Sequence, residues 1–265
     1  MSLLPARAPE NFLFDTPEAA LKTVTRLAAQ GPSLRVFDAL EASVMLFRHL
    51  ALPLLTLAYD LFHMQADRSR YALYQARAFD FPVKPGDKVL DLGSGHMPFP
   101  LATHLADISL VDHAIGRAGV PFKHVEGKPC FECSAENTPF GEKEFDFVYC
   151  SHVLEHSANP EKACKELMRI AKRGYIETPT RGKDIFLASA SVSNHRNYVE
   201  LCNDVLTFRK YQPWEIEGLG CNILQEMCSA PQNDREKAFS ALIYLRPRVI
   251  NTMLLWEDDF KFSVV

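Results

Sequence analysis

The chain has 265 residues, 47% of them hydrophobic, enough for one large domain or a core with an added lobe. Its net charge of −4 argues against a nucleic-acid substrate, which would ask for a basic face. Seven cysteines, an odd number at irregular spacing in a long chain, argue against a disulfide framework.

No secretory signal is evident at Met1-Ser-Leu-Leu-Pro-Ala-Arg7, so a cytoplasmic protein is expected. Thr16-Pro17-Glu18 reads as a cap with proline in the first turn, opening a helix to about Gln30. Gly31-Pro32 stops it, and a second helix runs from Leu34 to about Ala51. Pro53 breaks the pattern before a third helix, about Leu54 to Phe79. This region holds the longest apolar stretch, Ser43 to Phe62, but Arg48, His49, Pro53 and Asp60 interrupt it, so no membrane span is expected. Its clustered Leu46, Phe47, Leu50, Leu54, Leu55, Leu57 and Phe62 need a partner surface. Residues 1–84 are therefore read as an N-terminal helical lid, presenting Arg68, Arg70, Tyr71 or Tyr74 to an acceptor, with dimerisation or membrane-surface association through the same apolar stripe as the alternative. The oligomeric state is left open.

Residues 85–265 read as an α/β domain. Strands are predicted at 88–92, 107–112, 129–133, 145–150 and 174–178, and helices at 98–105 and 159–172. Asn159 caps the second helix, with Pro160 at its first position. Strands alternating with helices predict a Rossmann-like, doubly wound, mostly parallel sheet. Two late runs, 251–256 and 260–265, predict a terminal antiparallel hairpin across Glu257-Asp258-Asp259. Cys130-Phe-Glu-Cys133 lacks a second pair for zinc and reads as core thiols.

The segment Val89-Leu-Asp-Leu-Gly-Ser-Gly95 carries most of the functional information. A buried strand runs into a glycine turn, where Gly93 and Gly95 can take positive φ and leave room for a ligand. The dinucleotide fingerprint needs a third glycine, and Pro98 occupies that place. Asp112 ends the next apolar run, close to the usual spacing of a ribose-binding acid. Two carboxylates, Asp91 and Asp112, suit a cationic cofactor better than a pyrophosphate.

Four blocks in order, 89–95, Leu110-Val-Asp112, Ser134-Ala-Glu-Asn-Thr-Pro-Phe140 and Glu144 to His156, followed by Gly174-Tyr-Ile-Glu-Thr-Pro179, resemble the class I S-adenosylmethionine-dependent methyltransferases. The subgroup most similar includes the quinone-biosynthesis methyltransferases, and further motifs look like a bacterial branch associated with surface-glycan or other secondary biosynthesis. The resemblance implies S-adenosylmethionine as cofactor. Asp91 with Gly93, Ser94 and Gly95 would hold its methionine end, Asp112 its ribose, and Ser134 and Ala135 its adenine. Cys150 and Ser151 would line the cleft. The resemblance departs at Met97, where a third glycine would fall, and at Ser134, where an aspartate is common.

A methyl acceptor with a hydroxyl needs a base, and His152, just beyond the fourth strand, is one candidate. His195 beside Arg196, after the fifth strand, is another. The expected function is methyl transfer to a small-molecule or sugar acceptor, on oxygen or nitrogen. Two rivals are a catalytically silent S-adenosylmethionine-binding sensor or scaffold, and a zinc hydrolase. The second arises because His152, Glu155 and His156 spell H-x-x-E-H, which can place two metal ligands and a glutamate on one helical face. On the methyltransferase reading no metal is required.

Overall fold

A computed structural model describes residues 52–111, 119–186, 194–216, 226–228 and 230–265. The two helices expected before residue 52 lie outside the described residues, as does Asp112. The chain divides into two compact units. One comprises Met1–Met64 with Pro231–Ala241, and the other Gln65–Ala230 with Leu242–Val265. In the first, a helix over 52–64 carries Asp60, which pairs with Lys237 at 3.1 Å. Among the described residues no helix is long and apolar enough to cross a membrane.

The expected third helix, Leu54 to Phe79, is not continuous. It stops at residue 64, and a π-helical turn, Tyr71–Gln75, leads into a short helix, Ala76–Ala78. Residues 65–84 belong to the second unit, not with an extension ending at 84. Tyr74 and Phe81 are buried in its core.

The second unit is built on a sheet of six strands: β1 (Val89–Leu92), β2 (His104–Asp107), β3 (Cys130–Glu132), β4 (Phe147–Ser151), β5 (Arg173–Pro179) and β8 (Asn251–Glu257). Their spatial order is β3-β2-β1-β4-β5-β8, with all pairings parallel except the antiparallel β5–β8. This is the expected mostly parallel α/β sheet. A second sheet joins β6 (Asn197–Cys202), β7 (Val205–Lys210) and β9 (Lys261–Val264).

Three expectations are corrected. The terminal hairpin does not form: β8 pairs with β5, whereas β9 runs parallel to β7 in the other sheet. The second strand lies at 104–107 rather than 107–112, because Leu90 to Leu92 pair with His104 to Ala106. The helix expected at 98–105 is absent, and the chain crosses from β1 to β2 in turns. Pro98 and Pro100 supply no N–H and push Met97 and Phe99 away from helical angles. The helix Pro160–Ile170 is as expected, with Asn159 Oδ1 accepting the Lys162 N–H at 3.0 Å.

Successive strand side chains alternate between two cores. Leu90, Leu92, Val148, Cys150 and Ile176 face the helix Pro160–Ile170 through Ala163, Leu167 and Ile170. Val89, Phe147, Tyr149 and Tyr175 face the opposite way and pack with Tyr74, Phe81 and Phe99. Asp91 shares this second face, since its register partners are Tyr149 and then Tyr175.

Candidate active site

The carboxyl ends of β1, β4 and β5 adjoin, so the residues that leave these strands meet along one edge. At the end of β1, Gly93 and Gly95 have φ of 84° and 54°, in the left-handed region. The amides of Gly93 and Ser94 both donate to Ala106 O on β2, at 2.8 and 3.0 Å. The Gly95 amide donates to Asp107 Oδ2 at 2.8 Å. The need for glycine at 93 comes from the protein itself: a Cβ there would lie 2.1 Å from Val153 Cγ2.

Asp91 is buried, and its Oδ2 accepts the Phe99 N–H at 2.7 Å. Burial pushes its pKa up to about 7, outweighing the Phe99 backbone bond, the Ser94 hydroxyl and the Arg70 charge, which lower it. The Phe99 ring stacks on Tyr149 with centroids 4.3 Å apart, and Tyr149 on Tyr175 at 5.5 Å. This aromatic wall occupies the place where a helix was expected.

Glu177 on β5 is fully buried yet ionised. Tyr74 OH donates to its Oε1 at 2.6 Å and Gln75 Nε2 to its Oε2 at 3.0 Å. Tyr175 OH donates to Oε2 as well, and His152 Nε2 lies 3.2 Å from Oε1. Burial alone would raise this carboxyl, but the bonds from His152, Tyr175 and Tyr74 outweigh it and hold the pKa at about 2. Tyr149 OH bonds Gln75 Oε1 at 3.0 Å and extends the network. The π-helical turn delivers Tyr74 and Gln75, consecutive residues, to the same buried carboxylate.

His152 has φ 58°, unusual for a non-glycine residue. Its amide donates to Glu177 O at 2.7 Å. Its two ring nitrogens face two carboxylates, Nε2 toward Glu177 and Nδ1 toward Glu155 Oε1 at 3.4 Å. His195 is held differently. Its Nδ1 bonds Asp184 Oδ2 at 3.0 Å, and Tyr211 OH donates to the same oxygen at 2.9 Å. Burial lowers the His195 pKa, but the Asp184 carboxylate more than reverses this and leaves it raised.

Cys150 and Ser151 end β4, both buried. Burial raises the Cys150 thiol well above its usual range, so it is a core thiol and not a nucleophile. The hydroxyls of Ser94 and Ser151, buried at the ends of neighbouring strands, have no hydrogen-bond partner of good geometry. Ser134 and Ala135 follow β3, where Ser134 Oγ accepts the Glu136 N–H at 3.1 Å. Cys130 and Cys133 are free thiols. A cleft of about 540 Å³ opens beside the β1–β2 connection, lined by Arg68, Ser69, His96, Met97, Lys123 and Lys128 among others. Ser134, Cys150 and Ser151 do not line it.

The Methyltransferase domain family matches residues 90–176, from β1 through β5. That span contains the glycine turn and the buried carboxylates Asp91 and Glu155, and ends beside Glu177. Over that span the chain is similar to methyltransferase domains. The methyltransferase domain implies S-adenosylmethionine as methyl donor. The residues present fit a polar group, with buried Ser94 and Ser151 hydroxyls that lack a hydrogen-bond partner of good geometry near the Asp91 carboxyl.

The ubiquinone/menaquinone biosynthesis C-methyltransferase UbiE of Xanthomonas oryzae is 34% identical over 103 residues, covering 35% of this chain and 41% of that protein. A demethylmenaquinone methyltransferase of Paenarthrobacter aurescens is 33% identical over 94 residues, covering 35% of this chain and 37% of its own. The chain thus spans about two-fifths of the curated relatives it matches. Among solved structures, an S-adenosylmethionine-dependent methyltransferase from Mesorhizobium loti covers 55% of this chain and 66% of its own, at 19% identity and a TM-score of 0.33.

Sequence reasoning missed Asp107, Glu177, Asp184 and Lys183. Glu177 stands in the Gly174–Pro179 block but was given no role. Burial lowers the Lys183 ammonium pKa to about 8, and its Nζ bonds Asn251 Oδ1 at 2.9 Å.

Proposed function

We propose that this chain transfers a methyl group from S-adenosylmethionine to a small-molecule or sugar acceptor at the carboxyl edge of β1, β4 and β5. The observation that carries the reading is the pair of buried carboxyls on that edge, Asp91 within the matched span and Glu177 just beyond it. When bound, S-adenosylmethionine supplies an electrophilic methyl group on a sulfonium.

In this proposal Asp91 and the Gly93-Ser94-Gly95 turn bind the methionine end, and Ser151 supplies a further hydroxyl. Asp107 takes the ribose role first expected of Asp112, because Asp107 ends β2 and already orders Gly95. Ser134 and Ala135 stand by the adenine, while Cys150 packs behind β4 against the helix Pro160–Ile170. Glu177, His152 and Tyr74 form a rigid frame that positions the acceptor and excludes water. A hydroxyl acceptor must lose its proton. His195 is the better placed of the two histidines to accept it, since Asp184 fixes the ring through Nδ1 and leaves Nε2 as the basic atom. We place the enzyme in the cytoplasm, acting on neither nucleic acid nor membrane, in keeping with its net charge of −4.

A second reading is methylation of carbon on a quinone-type ring, favoured by the names of the relatives at 33% and 34% identity. Calorimetry with S-adenosylmethionine, followed by turnover of methyl-labelled cofactor with phenols, sugars and quinols, separates the readings. Stoichiometric binding, and S-adenosylhomocysteine formed only with an acceptor, is the expected result. The position of the label then distinguishes oxygen, nitrogen and carbon. Binding without turnover on any acceptor favours the silent sensor, and no binding rejects the proposal.

A further inference from the structure

Glu155 is a buried carboxylate held by imidazoles rather than by hydrogen bonds of good geometry. Its carboxylate is buried, with 1% exposure, yet neither oxygen accepts a hydrogen bond of good geometry. Burying an ionised carboxylate without compensation costs several kcal/mol, so such groups are normally paired or bind a cation. What surrounds Glu155 is imidazole. His152 Nδ1 stands 3.4 Å from Oε1 and His156 Nε2 3.9 Å from it.

One ligand atom from each of Glu155, His156 and His195 lies within 4.8 Å of the others. The histidines are held as metal-binding histidines are held. His156 Nδ1 is engaged by Asn194 O at 3.1 Å, and His195 Nδ1 by Asp184 Oδ2 at 3.0 Å. Each contact fixes the ring and its tautomer and leaves Nε2 as the lone-pair donor, the arrangement that supports zinc-bound imidazole. The two segments are tied by the Arg196 N–H to Glu155 O bond at 2.8 Å, and the His156 and His195 rings meet edge to face at 4.8 Å.

We propose that Glu155, His156 and His195 form a binding site for one divalent transition-metal ion, Zn2+ in the first instance. Two imidazoles and one carboxylate with a further position open are a donor set suited to Zn2+. Tetrahedral bonds of about 2.0–2.1 Å put neighbouring ligand atoms roughly 3.4 Å apart. The three atoms therefore need to draw in by up to about 1.4 Å, which rotation about the side-chain bonds provides. The half-buried His156 gives the ion a route from solvent. The site differs from the linear motif: its third ligand is His195, from the segment before β6, while His152 also faces Glu177. With an ion bound, His195 Nε2 would be a ligand, and a metal-bound water could supply the base in its place.

The test uses the full-length chain, stripped with a chelator and titrated with Zn2+ against a chromophoric competitor, then loaded with Co2+ for its visible absorption. One ion per chain is expected, with Co2+ bands typical of nitrogen and oxygen ligation. His156→Ala and His195→Ala should weaken Zn2+ binding at least 100-fold. Asp184→Asn, which leaves all three ligands, should weaken it about 10–100-fold. The Cys130→Ser, Cys133→Ser double variant should bind as the parent does. His156 is half-exposed, so its variant is expected to fold, and circular dichroism confirms this. Zn2+ binding that is absent, or unchanged in folded His156→Ala, or lost in the cysteine variant, overturns the site.

Discussion

Replacing Glu177 with glutamine keeps the size of the side chain and removes its charge. The carboxylate receives Tyr74, Tyr175 and Gln75 and faces His152. Glutamine offers one acceptor oxygen in place of two, and its amide donates where hydroxyls already donate. The folded pKa is about 2 against a reference of 4.5. At about 1.4 kcal/mol per pH unit, that gap corresponds to roughly 3 kcal/mol of stability linked to the ionised form. The sign follows from the depressed folded value. The stability is fully present above the unfolded pKa, near 4.5, and is lost as pH falls toward 2.

The assay is urea unfolding of parent and Glu177→Gln at pH 7, 5, 4 and 3. At pH 7 the variant should be about 3 kcal/mol less stable, within the range for breaking a buried charged network. The parent should then weaken on acidification, while its difference from the variant shrinks between pH 4.5 and 3. Other carboxylates titrate in both proteins, Glu166 among them, so only the difference reports on Glu177. A variant within 1 kcal/mol of the parent at pH 7, or a gap that does not close in acid, refutes the reasoning.

Gly93→Ala should destabilise by more than the roughly 1 kcal/mol cost of positive φ, because its Cβ meets Val153 at 2.1 Å, and adding Val153→Ala should restore part of the loss in the same unfolding assay. Asp107→Ala should weaken S-adenosylmethionine binding by about 1.5–3 kcal/mol per charged hydrogen bond lost, measured by calorimetry. Asp112→Ala should cost less than Asp107→Ala, and the reverse order would return the ribose to Asp112. Residues 65–80, which carry Arg68, Arg70, Tyr71 and Tyr74, should gain hydrogen-exchange protection when S-adenosylhomocysteine binds; protection confined to 89–152 would reject their part in covering the site.

The strands of the core were legible because buried runs bounded by turn residues leave little choice, and the helix Pro160–Ile170 because its cap and proline sit side by side. β2 was misplaced for a physical reason. His104–Asp107 and Ile108–Asp112 are both apolar runs ending in aspartate, and pairing decides between them, through Ala106 O accepting the Gly93 and Ser94 amides. No local pattern encodes that choice. The terminal hairpin failed likewise, since β8 finds a longer partner in β5 than in β9. The donors to Glu177 were illegible for another reason: Tyr74 and Gln75 lie 103 and 102 residues away from it in sequence. His195 was named from the sequence, but its link to Asp184 and its nearness to Glu155 needed the fold.

Asp91 on β1 and Glu177 on β5 lie on one face of the sheet, separated by β4, and are pushed in opposite directions. Glu177 has several donors and stays ionised; Asp91 has the Phe99 amide, the Ser94 hydroxyl and the Arg70 charge, which do not offset its burial, and rises to about 7. With that value about nine in ten chains carry a proton on Asp91 at pH 6, and about one in ten at pH 8. A positively charged ligand beside Asp91 favours the ionised form and lowers its pKa. Binding should therefore expel the proton wherever it is present. The sign is fixed: S-adenosylmethionine affinity should rise up to about tenfold per pH unit below 7 and level off above it. Calorimetry at pH 6 in buffers of different ionisation heat should show nearly one proton released, falling toward zero at pH 8. Asp91→Asn should abolish the release and flatten the profile. Proton release unchanged between pH 6 and 8, or retained in Asp91→Asn, would show that Asp91 is already ionised and that the sulfonium is met elsewhere.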